Sequence, residues 1–125
     1  MEHIKSSFRQ NRLAGFRYAF QGVRLFLRSE PNARIHALAT GLVIIGVFGL
    51  HVTITEAAIL FLAIGLVWAA ELFNTAMEKM MDIYSTEHHP GIGFVKDVAA
   101  GAVAVCALTA AITGGIIFIP KLVTG

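Results

Sequence analysis

Between Ala57 and Ala70 the chain reads AAILFLAIGLVWAA, fourteen residues without a charge. A helix rises about 1.5 Å per residue, so about 20 such residues cross the hydrocarbon core of a bilayer. Continued to about Met77, this segment reaches that length, and so does Val98 to Ile119 (VAAGAVAVCALTAAITGGIIFI). A further apolar segment, Ile35 to Leu50 (IHALATGLVIIGVFGL), is short unless it runs on to Ile54. Backbone groups in lipid must be satisfied inside a helix or a closed barrel, and the chain carries no alternating barrel pattern or strand ladder. The expectation is an all-α integral membrane protein with transmembrane segments at 35–54, 57–77 and 98–119. Composition agrees: charged residues make up 14% and hydrophobic ones 56%, where a soluble domain carries about 25% charged. A length of 125 residues suits one domain, 1–125.

The basic residues are unevenly placed. Seven of the ten, Lys5, Arg9, Arg12, Arg17, Arg24, Arg28 and Arg34, precede the first span. The connection HVTITE has none, Lys79 and Lys96 flank the second connection, and Lys121 follows the third span. The positive-inside rule then places the N-terminus and the second loop in the cytoplasm and the C-terminus outside. The long basic region and the lack of a small-residue cleavage pattern argue against a signal peptide. Over 7–28, Phe8, Phe16, Phe20, Val23 and Leu27 recur at helical spacing among Arg9, Arg17, Gln21, Arg24 and Arg28. This reads as an amphipathic helix in the membrane interface. SEPN (Ser29 to Asn32) ends it, and Pro31 suits the first turn of the next helix, which leaves Glu30 at the joint. The lone Cys106 reads as a small buried residue.

The second span then breaks its own rule. In VWAAELFNTAMEKMMD (Val67 to Asp82), Glu71, Asn74, Thr75, Glu78 and Asp82 fall within an arc of about 100° at helical spacing. Glu71 to Glu78 is two turns, or about 10 Å of rise. A charged group at mid-bilayer costs at least about 2.5 kcal/mol, so such residues face a protein interior or a cavity. Oxygen donors on one face suit a hard divalent cation, and Mg²⁺ is commonly held by one or two carboxylates plus phosphates. A further carboxylate could accept a proton from a hydroxyl. Acids alone also fit a small ion-conducting or regulatory oligomer without catalysis. In the loop STEHHPGIGFVKD, Lys96 could reach a phosphate or serve as an interface anchor. GIG is too short for a phosphate loop, and no GxxxxGK[ST] occurs. The adjacent histidines of EHH lack zinc-ligand spacing. His36 and His51 flank the first span and read as interface residues.

AELFNTAMEKMMD followed by VKDVAAGAV, with FRYAFQGVRLFLRSEPNARIH upstream, resembles the prokaryotic diacylglycerol kinase family over roughly residues 15–105. The resemblance implies a small lipid kinase with three transmembrane helices, an N-terminal surface helix and a homotrimeric assembly with sites between subunits. It implies Glu71 as the general base toward the lipid hydroxyl, and Glu30 and Glu78 as the carboxylates that hold the Mg²⁺ of MgATP. Tyr18, Glu30, Asn74, Glu78, Glu87, His88, His89, Lys96 and Asp97 fall at nucleotide-binding positions. Glu71, Asn74 and Ala100 fall at lipid-substrate positions, although some members carry a hydroxyl residue where this chain has Ala100. A family arginine would align with Asn11, between Arg9 and Arg12. NARIH (Asn32 to His36) is similar to the branch acting mainly on undecaprenol.

Overall fold

The computed structural model describes residues 2–85, 87 and 89–124, with side chains described from residue 11 onward. Four helices follow one another: α1 Glu2–Ser29, α2 Pro31–Gly49, α3 Ile54–Tyr84 and α4 Pro90–Thr124. No strand occurs among the described residues. The all-helical expectation holds, but the boundaries move. The helix expected over 7–28 begins at Glu2, and the spans expected at 57–77 and 98–119 lengthen to 54–84 and 90–124. The first span begins at Pro31 and stops at Gly49 rather than reaching Ile54.

Local chemistry explains that stop. The Leu50 N–H donates to the Gly46 carbonyl at 2.9 Å, and His51 then takes a left-handed backbone conformation with φ 52°. Such a residue past a helix end turns the chain out of the helix. Thr53 starts the next one through a capping box. Its hydroxyl accepts from the Glu56 N–H at 3.1 Å, and its own N–H donates to the Glu56 carboxylate at 3.1 Å. The nineteen residues of α2 are about 28 Å long, enough for a hydrocarbon core of about 30 Å without the HVTI segment.

The chain divides into two compact parts, Met1–Arg34 and Ile35–Gly125, described here separately. In the first, α1 runs to Ser29, whose hydroxyl donates back to the Leu25 carbonyl at 2.7 Å. Pro31 opens α2 and has no N–H to leave unsatisfied there. At the joint, the Glu30 N–H donates to the Phe26 carbonyl at 3.1 Å, and its carbonyl accepts from the Ala33 N–H at 3.2 Å. In the second part, α3 and α4 form the principal packed pair. The short 50–53 and 85–89 connections make sequential helices antiparallel neighbours. α2 meets α4 at Gly46, where an added Cβ would lie 2.9 Å from a Phe118 ring carbon, so a larger residue there would displace that ring.

The interior of this part is thin. Leu60, Val67, Ile92 and Ile117 are buried, together with one acid, Glu71. Leu38, Leu42, Phe48, Phe61, Leu62, Leu66, Val105, Leu108 and Ile116 are all exposed. In water so continuous an apolar surface would drive association; it suits a chain surrounded by lipid or by further apolar helices. α2, α3 and α4 are each long and apolar enough to cross a membrane.

Candidate active site

Glu71 is 6% exposed. Its neighbours on the same helical face emerge by degrees: Asn74 and Glu78 are half-buried, and Asp82, in the last turn of α3, is exposed. The face inferred from periodicity is therefore inward at Glu71 and opens toward the Tyr84 end. The buried carboxylate has a partner that periodicity could not supply. His36 Nε2 on α2 lies 2.8 Å from Glu71 Oε1. When Glu71 is ionised its carboxylate only accepts, and the ring nitrogen facing it then carries the hydrogen. A hydrogen bond to a charged group contributes about 1.5–3 kcal/mol. That is comparable to the minimum of about 2.5 kcal/mol that a carboxylate costs inside a bilayer. His36, read from its sequence position as an interface residue, is thus also the partner of Glu71. The signal missed was a side chain 35 residues away, on another helix.

A second contact joins the same two helices. Trp68 Nε1–H donates to Thr40 Oγ1 at 2.9 Å, and that hydroxyl donates to the His36 carbonyl at 2.7 Å. Beside these groups runs an apolar cleft of about 350 Å³. Its walls include Val43 on α2, Ile64 and Val67 on α3, and Ala107 and Ala111 on α4. The small side chains of Ala107, Ala110 and Ala111 on α4 leave room there.

One turn beyond Glu71, Asn74 Nδ2 faces Glu78 Oε1 at 3.4 Å. The opposite amide orientation would set oxygen against oxygen. The buried Asn74 Oδ1 has no hydrogen-bond partner among the described residues. A buried amide oxygen beside a half-buried carboxylate offers two oxygen donors of the kind a hard cation takes. No cluster of three or more His, Cys, Asp or Glu side chains suited to a metal occurs among the described residues. The donors fit an ion that completes its shell with phosphate and water, as Mg²⁺ does, rather than an all-protein cage.

At the Tyr84 end, Asp82, Ser85, Glu87, His89, Ile92, Gly93 and Lys96 line a hollow of about 240 Å³. This brings three of the sequence-predicted nucleotide residues, Glu87, His89 and Lys96, around one space. Lys96 is engaged there: its Nζ donates to Asp82 Oδ1 at 2.7 Å. Asp82, at the open end of the acid face of α3, is that partner, and its side chain remains 56% exposed. His89 caps α4, its Nδ1 accepting the Gly91 N–H at 2.9 Å ahead of Pro90 in the first turn. The Glu87 N–H donates to Ser85 Oγ at 3.1 Å. Asp97 and Ala100 are exposed on α4, and neither lines this hollow. His88 lies outside the described residues, as do the side chains of Phe8 and Arg9. Tyr18 and Glu30 belong to the first part, where Tyr18 is exposed.

A helical membrane protein with a buried acid bonded to a residue that lines an apolar cleft, and a polar hollow where α3 gives way to α4, has the parts for chemistry between a lipid and a water-soluble reactant. The chain belongs to the prokaryotic diacylglycerol kinase family, whose family model matches residues 17–118. It is 42% identical over 107 residues to the undecaprenol kinase of Bacillus subtilis (strain 168), covering 86% of this chain and 87% of that one. It is 37% identical over 115 residues to a diacylglycerol kinase of Synechocystis, covering 91% of this chain and 66% of the other. With the diacylglycerol kinase of Escherichia coli (strain K12) it shares 28% identity over 96 residues, 77% of this chain and 79% of that one. Family and helices together make it a multi-pass membrane protein.

Proposed function

We propose that this chain is a lipid kinase that transfers the γ-phosphoryl group of ATP to the hydroxyl of a membrane lipid alcohol. The observation that carries the reading is Glu71: a carboxylate buried within an apolar span, held by His36 and followed by Asn74 and Glu78 on one face. The lipid oxygen attacks the γ-phosphorus as the bond to the β,γ-bridging oxygen breaks. ADP leaves, and the hydroxyl proton passes to Glu71. Little covalent work falls to the protein; positioning and charge stabilisation do most of it.

Glu78, with Glu30, would hold the Mg²⁺ that accompanies ATP, and the buried Asn74 Oδ1 supports an oxygen ligand in that neighbourhood. When bound, the ion neutralises charge developing on the phosphates. Lys96 binds phosphate after releasing Asp82. Tyr18, Glu87, His88, His89 and Asp97 contact the rest of the nucleotide, and Ala100 flanks the lipid. The chain works as one membrane domain in a bacterial cytoplasmic membrane. The basic N-terminal region supports a cytoplasmic N-terminus and 85–89 loop, and an α1 in the interface with its arginines at the headgroups. Three helices with so thin an interior enclose neither reactant fully, which supports a homotrimer with sites completed between subunits. The identity to an undecaprenol kinase and the NARIH segment favour a polyprenol over diacylglycerol.

Purified protein in lipid vesicles with MgATP and undecaprenol, or separately diacylglycerol, tests the reading. Phosphorylated lipid should form in at least one case, faster with undecaprenol. A well-folded preparation that turns over neither lipid would overturn it.

A further inference from the structure

The geometry points to His36 as a positioning residue that fixes the Glu71 carboxylate for proton abstraction; this rests on Glu71 being the general base. A base inside a bilayer meets a problem of its own. Glutamate has three rotatable side-chain bonds, and an unrestrained carboxylate in apolar surroundings swings toward the nearest water. On α3 that swing would run toward Glu78 and the open end of the face. His36 Nε2 at 2.8 Å engages Oε1, which leaves Oε2 for an incoming hydroxyl.

A restraint works only if it is itself held. His36 and Thr40 lie four residues apart on α2, and Trp68 and Glu71 three apart on α3, so each pair shares a helix face. They meet as two rungs: His36 to Glu71, and Thr40 to Trp68. The Thr40 hydroxyl is committed on both sides, accepting from Trp68 and donating to the His36 carbonyl. Two rungs one turn apart fix the register of α2 against α3, whereas one would leave it free to slide or rotate. The same His36, Thr40 and Trp68 side chains line one wall of the apolar cleft, so a lipid chain lying there passes beside the restraint. The Nε2–H can donate to Oε1 both before and after Glu71 takes a proton, so the restraint persists through the step.

The test uses the full chain in vesicles with whichever of undecaprenol or diacylglycerol it phosphorylates. His36→Ala should lower kcat about 10- to 100-fold, since a misplacement of about 1 Å at a reacting group can cost about 100-fold. KM for ATP and for the lipid should stay within about two-fold. His36→Gln, whose amide nitrogen reaches the place of Nε2, should recover most of the lost kcat. In a Glu71→Gln background, His36→Ala should add no further loss, as expected of groups acting as one unit. A normal kcat in His36→Ala, a loss confined to KM, full additivity in the double variant, or no rescue by a His36→Gln protein with intact helicity and ATP binding would each overturn the proposal. Wild-type turnover by Glu71→Gln would remove the base reading and this proposal with it. Inactive Glu71→Gln beside normal His36→Ala would overturn this proposal alone.

Discussion

Among the α3 carboxylates bonded to basic side chains of neighbouring helices, Glu71 and Glu56 could hardly be placed more differently. Glu71 meets His36 inside an apolar span, with side chains 8% and 20% exposed. Glu56 meets Lys121 at 3.1 Å near the opposite end of the helix, with side chains 26% and 25% exposed. Glu56 also accepts the Thr53 N–H and so closes the capping box. If the Glu56 pair breaks, water takes over both partners. If the Glu71 pair breaks, no water is at hand, and the carboxylate must be neutralised or move. Location, rather than the type of bond, separates a helix-end fastening from the acid proposed as the base.

The comparison can be broken by mutation. Glu71→Gln should lower kcat by about 100- to 10,000-fold, the range a general base contributes, with ATP affinity nearly unchanged in a direct binding measurement. Asn74→Leu should cost about ten-fold or more in turnover without lowering the thermal unfolding midpoint. It removes a buried oxygen whose missing partner costs about 1–3 kcal/mol in the folded chain. A destabilised Asn74→Leu protein would mark Asn74 as a packing residue instead. Glu56→Gln and Lys121→Met should leave turnover within about two-fold of wild type, as expected for a partly exposed ion pair. A larger loss from either would show that the two ends of α3 are coupled.

Much of this was legible in the sequence, for physical reasons. Apolar length marks a membrane helix because lipid leaves the backbone no other choice, so all three spans could be read at once. Helical spacing put Glu71, Asn74 and Glu78 on one face, and their burial follows that order. The first span read too long because HVTI is apolar enough to pass for helix, while the signals that end it are conformational and local. Those are the left-handed His51 and the capping hydroxyl of Thr53. Partners on other helices were out of reach: periodicity describes one helix at a time, and neither His36 on Glu71 nor Asp82 on Lys96 shares a helix with its mate.

The Lys96–Asp82 pair changes how nucleotide arrival should be pictured. A lysine waiting alone would gain its first counterion when a phosphate came, and affinity would fall steeply with salt. Here the ammonium already has an anion at 2.7 Å. In the proposed nucleotide role of Lys96, a phosphate reaching it would replace one negative oxygen by another, and the hollow would act there as an ion exchanger. The attraction gained there is small, and what distinguishes a nucleotide from any other anion is left to the shape of the site and to the metal that travels with it. Nucleotide affinity should then depend less steeply on ionic strength in the wild-type chain than in Asp82→Asn, where Lys96 waits uncompensated.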